Sequence, residues 1–189
     1  MKALGPSVIL YAAYASLLYL VAYFAEAYLA FFQPDAILYP VQIIQLVLGV
    51  ITYLGWMEVG RRFKNRLMLN VSMVAVWLVP VSGLLNIVIS SSGSINVIYA
   101  FVSGLVMGLI VAVFGTALLG LRKRFGDLAR VTGWLDIIMG VCLLSFILLP
   151  VAVIIMPPIV ILEAIVLFRA YKKAARGPLG LTGLFHKFF

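Results

Sequence analysis

The stretch VTGWLDIIMGVCLLSFILLPVAVIIMPPIVILEAIVLFRAY, residues 131–171, is apolar almost throughout, yet holds Asp136, Glu163 and three prolines. As one straight helix it would measure about 60 Å at 1.5 Å per residue, roughly twice the 30 Å of a bilayer's hydrocarbon. No ordinary tilt absorbs that excess. Proline removes a backbone donor and clashes with the preceding turn, so Pro150 and the Pro157–Pro158 pair offer the break. The stretch therefore reads as two crossings, Val131–Leu149 and a short Pro157–Tyr171.

Four further apolar runs precede it: Val8–Phe32, Ile37–Gly60, Leu67–Ile89 and Ile95–Leu121. The pattern predicts an all-α, polytopic membrane bundle over residues 1–176 with six transmembrane helices. Charge placement supports the even number. Lys2, the RRFKNR turn at 61–66, the RKRFGDLAR turn at 122–130 and the segment after Phe168 hold one, four, four and five basic residues, all 14 in the chain. Six crossings gather them on one side. The intervening loops, QPDA at 33–36, SSSGS at 90–94 and the Pro157 turn, hold none. The positive-inside rule then predicts both termini in the cytoplasm of a cell-membrane protein. Five crossings would strand five basic residues outside.

Composition agrees. The 189 residues are 65% hydrophobic and 11% charged, with a mean hydropathy of +1.20, far from the balance of a soluble domain. The net charge of +8 follows from topology, so no nucleic-acid partner is expected. Lys2, the run from Val8 and Ala25-Glu26-Ala27 loosely imitate a cleavable leader. That run is longer than a signal core and is read as the first crossing. The 177–189 segment, GPLGLTGLFHKFF, mixes helix-disfavouring glycines with Leu and Phe, so it is expected along the interface or docked on a partner.

The fourth run carries Ala100, Gly104, Gly108, Ala112, Thr116 and Gly120, small residues four apart. Helices in lipid associate through close backbone approach, so this stripe is expected to be a packing surface within the bundle or between copies. The turns Arg61-Arg62-Phe63-Lys64-Asn65 and Lys123-Arg124-Phe125-Gly126-Asp127 also look alike, as a two-helix repeat would.

Carboxylates inside hydrocarbon cost about 2.5–3.5 kcal/mol and must face partners. Glu26 and Glu163 both lie about six residues, or ~9 Å, from the uncharged end of their predicted spans. Gln42 and Gln45 enter at similar depth, and Asn86 lies nearer the outside. These five residues are expected to form a proton or cation site, or an interhelical polar cluster. On the basic side, Glu58 stands three and four residues before Arg61 and Arg62, the spacing of helical ion pairs. Asp136 lies beyond Arg130 and is a candidate relay or gate with them.

The chain has one cysteine, Cys142, and one histidine, His186. No intrachain disulfide, bis-histidine haem or structural zinc site is available. No phosphate-binding glycine loop and no serine–histidine pair appears, so neither an enzyme nor a cofactor is expected. The segment from Gly115 to Lys173, through LRKRFGDLA and the Glu of the last run, resembles small polytopic membrane proteins of archaea. That resemblance implies a helical membrane fold and supplies no site residues. Size and layout also look like the substrate-capturing subunits of energy-coupling-factor vitamin importers, although Ala12-x-x-x-Ser16 poorly matches their first-helix small-residue contact.

Three functions follow as expectations. The favoured one is a non-enzymatic accessory subunit of a larger membrane complex, with the lipid bilayer, partner subunits or further copies of itself as neighbours. The second is a small proton- or cation-coupled carrier or channel using Glu26 and Glu163. The third is a substrate-binding importer subunit with a tyrosine-lined pocket.

Overall fold

The computed structural model describes residues 5–32, 38–91 and 97–176. Among these, the helices are α1 (Ser7–Phe32), α2 (Leu38–Arg62), α3 (Arg66–Ser91), α4 (Val97–Gly120), a single turn α5 (Arg122–Phe125), α6 (Asp127–Leu144) and α7 (Leu149–Arg176). A 3-10 turn over Phe146–Leu148 precedes α7. Five of them, α1, α2, α3, α4 and α7, are long and apolar enough to cross a membrane. The 18-residue α6 carries Asp127, Arg130 and Asp136 and lies against α4 and α7. The 177–189 segment and the QPDA loop lie outside the described residues.

The break in the 131–171 stretch falls at Ser145, not at Pro157–Pro158. Ser145 adopts an extended conformation, with φ −102° and ψ 110°, and its N–H still donates to the carbonyls of Val141 and Cys142. Pro150 explains the position. It occupies the first turn of α7, where a missing N–H costs nothing, but its ring would collide with the carbonyl of Phe146 in a continuous helix. Pro157 and Pro158 instead lie inside α7. They leave the carbonyls of Val153 and Ile154 without helical donors, and both residues are exposed. The last helix is therefore long rather than short, at 28 residues.

At the basic end the helices are joined by built turns. Lys64, at φ +56°, ends α2 in the left-handed conformation. Asn65 N–H then reaches the Gly60 carbonyl and Lys64 N–H that of Arg61, the paired bonds of a Schellman motif. Asn65 continues as the cap of α3. Its Oδ1 accepts from Met68 N–H at 3.0 Å, while its Nδ2 donates to the Ala117 carbonyl on α4 at 2.8 Å. The two look-alike basic turns meet, with the rings of Phe63 and Phe125 edge-to-face at 5.0 Å. Lys173 of α7 lies over the Phe125 ring and donates to the Arg124 carbonyl.

The principal core occupies this half, built from Ile9 and Ala13 of α1, Val59 of α2, Met68 of α3, Leu118 of α4 and Leu167 of α7. The crossing of α4 with α6 is a close one, backbone against backbone. A methyl on Gly108 would lie 2.9 Å from the Gly140 carbonyl, and one on Gly115 would lie 2.5 Å from that of Gly133. Both helices thus present glycines seven residues apart, paired in antiparallel order. The predicted stripe on α4 is only partly used. Gly108 and Ala112 face Gly140, but Gly104 has ordinary clearance, and Thr116 and Gly120 are exposed. Spacing of four drifts around a 3.6-residue helix, so the contact passes from Ala112 to Gly115. The side chain of Ala100 is outside the described residues. On α1 and α2, Gly55 abuts Ala12 so closely that any side chain there would overlap it.

Candidate functional site

Away from the packed half the helices enclose a cavity of about 330 Å³. Its inner limit is aromatic. Tyr53 and Trp56 of α2 both meet the Phe114 ring edge-to-face, at 5.9 and 5.3 Å. From there the cavity runs toward the end opposite the basic turns, past Tyr19 and Tyr23 on α1, Leu143 on α6 and Val153 on α7.

Glu163 and Asp136 both line this cavity. The break at Ser145 explains why. Because α7 begins at Leu149, Glu163 lies about fourteen residues, or ~21 Å, into the helix and not ~9 Å from its end. Asp136, midway along α6, reaches the same cavity. The two carboxyls are within electrostatic reach of one another. Asp136 is 0% exposed, and neither of its oxygens has a hydrogen-bond partner among the described residues. The lining includes no Lys, Arg or His to compensate either acid. In an apolar surround, such a pair must be neutralised by protons or by a cation drawn from outside.

Hydroxyl groups supplement the acids. Tyr53 is within electrostatic reach of both carboxyls, and Tyr19 is within reach of Glu163 and Glu26. Ser16 donates to the Val160 carbonyl at 3.4 Å and Thr52 to that of Leu48 at 2.9 Å, which leaves both oxygens able to accept at the cavity wall.

Glu26 belongs to a second centre. It accepts from Gln42 Nε2 at 2.8 Å and from Gln45 Nε2 at 2.7 Å, joining α1 to α2 nearer the uncharged end. It does not line the cavity, and Gln42 does not either. Asn86 is exposed on α3. The predicted five-residue cluster is thereby divided: Glu26, Gln42 and Gln45 stay together, Glu163 joins Asp136, and Asn86 stands apart. Asp136 likewise leaves the basic-side group it was expected to join. Glu58 remains there, 0% exposed, with Arg61 at 3.2 Å and Arg62 at 2.7 Å.

Sequence reasoning passed over Tyr53, Phe114 and, of the paired glycines, Gly115, Gly133 and Gly140; Gly108 was in the predicted stripe. The glycines left a signal, since Gly108–Gly115 and Gly133–Gly140 repeat the same interval in neighbouring runs. Tyr53 and Phe114 left none, because an aromatic in an apolar run looks the same whether it meets lipid or a cavity. Searches of protein-family models, curated proteins and solved structures return no match to this chain.

Proposed function

We propose that this is a six-span membrane carrier whose Asp136–Glu163 pair exchanges protons for a cation. The single observation that carries the reading is the pair itself: two acids on the wall of one cavity, with no Lys, Arg or His in its lining. An accessory subunit has no need of such a cavity, and setting two acids in an apolar wall whose lining holds no counter-ion would only weaken its fold. The importer-subunit reading gains Tyr19 and Tyr23 as wall residues, but Gln42 is not among them.

In this reading α6 is the sixth span despite its charges, and the basic turns face the cytoplasm. The cavity then opens outward, and the ring stack of Tyr53, Phe114 and Trp56 is the inner barrier. A cation entering from outside displaces a proton from the pair, so the site keeps its net charge through the exchange. Tyr19 and Tyr53 supply hydroxyls that can bond either form of the acids.

The test is reconstitution into vesicles holding a pH-sensitive dye. An imposed cation gradient is expected to drive proton movement with the wild-type chain and none with Asp136→Asn or Glu163→Gln. Proton movement persisting at the wild-type rate in both variants would refute the proposal.

A further inference from the structure

We infer that the cation taken at Asp136 and Glu163 is an organic ammonium with an apolar or aromatic body, not a metal ion. The inference rests on the proton-exchange reading above and adds the class of ligand. A hard metal ion takes about six or more oxygens at 2.0–2.6 Å, most tightly from several carboxylates, and no group of three or more His, Cys, Asp or Glu side chains that could hold a metal ion occurs among the described residues. The wall beyond the two acids is instead mostly hydrocarbon, thioether and aromatic ring.

Three methionines, Met107, Met139 and Met156, come from three different helices and adapt readily to irregular apolar shapes. The Tyr19, Tyr53 and Phe114 rings line the cavity, and aromatic rings attract a desolvated cation. A volume of about 330 Å³ lies at the lower end of the roughly 300–1,000 Å³ typical of small-molecule sites. One ammonium placed between the acids would satisfy the unpartnered oxygens of Asp136 through charge-assisted N–H···O bonds. As the ammonium enters, one proton leaves the pair and no other bond changes. The titratable groups facing the site are Tyr19 and Tyr23 from α1, Tyr53 from α2, Asp136 from α6 and Glu163 from α7; α3 and α4 contribute none.

Calorimetry on the full chain in detergent, repeated in two buffers of different ionisation enthalpy, reads both affinity and protons released. The probes are 2-phenylethylamine, its neutral counterpart 2-phenylethanol, sodium chloride and calcium chloride. The amine is expected to bind at least about tenfold more tightly than the alcohol, with proton release. Asp136→Asn and Glu163→Gln are each expected to lose at least that factor. The wild-type comparison of amine with alcohol decides the matter even if a variant fails to fold.

Equal binding of amine and alcohol, or unweakened amine binding in both variants, would overturn the inference. Proton release on adding sodium or calcium but not the amine would overturn it while leaving the carrier reading intact. Proton release with none of the cations would sink both.

Discussion

Replacing Gly115 by alanine is a sharp test of how this bundle is held together. The added methyl would lie 2.5 Å from the Gly133 carbonyl, 2.8 Å from the Asp136 Cβ and 2.9 Å from the Ile137 nitrogen, where ordinary contact begins at 3.4 Å. None of these atoms is the loose end of a side chain, so α4 and α6 must part by roughly 0.5–1 Å. Overpacking of this kind costs about 1–3 kcal/mol. Alanine recovers about 0.5–1 kcal/mol of helix propensity over glycine, leaving a net loss of about 0–2.5 kcal/mol; Gly115→Val should lose more. Gly104→Ala is the control, because its nearest neighbour would be 3.6 Å away, and only the propensity gain of up to ~1 kcal/mol should appear. Reversible unfolding in mixed micelles measures both. A Gly115→Ala chain as stable as Gly104→Ala, or an order reversed, would refute the assigned crossing.

Other substitutions probe separate contacts. Lys64→Gly should stabilise the chain by up to about 1 kcal/mol in the same assay, since Lys64 sits at φ +56° and glycine adopts that conformation without steric cost. Glu26→Leu should destabilise it by about 1–2 kcal/mol by stripping the acceptors from Gln42 and Gln45. Asn65→Ala should cost about 0.5–2 kcal/mol for the lost α3 cap, before the bond to Ala117 is counted. Removing Arg61 and Arg62 together would leave Glu58 buried and charged, and a loss of about 3–5 kcal/mol is expected.

How far the fold could be read depended on whether a signal was local. The apolar runs and basic turns are local, and α1 to α4 cover the first four runs. The ion pair of Glu58 follows from helical spacing alone. The Glu26 contacts followed from depth, because Glu26 lies about as far from the uncharged end of α1 as Gln42 and Gln45 lie from that of α2. Depth failed for Glu163. Three prolines offered candidate breaks, and choosing Pro157–Pro158 over Pro150 misplaced that acid by more than two helical turns. Asp136 was lost to the same error, since its partner seemed to lie at another level. The α4 stripe was visible, but its partner was not: a strict interval of four concealed the seven-residue interval that α4 shares with α6. Nothing in a single chain of letters reveals a void, so the Tyr53 and Phe114 wall could be found only in three dimensions.

The proline pair in α7 carries a mechanical consequence. Two missing rungs at Pro157 and Pro158 make a bend point, with Val153 on the doorway side and Glu163 on the other. In the proposed carrier, the outer segment would swing to widen or narrow the entrance while Glu163, below the bend point, keeps its place. On that reading, access and charge would be governed by different parts of one helix.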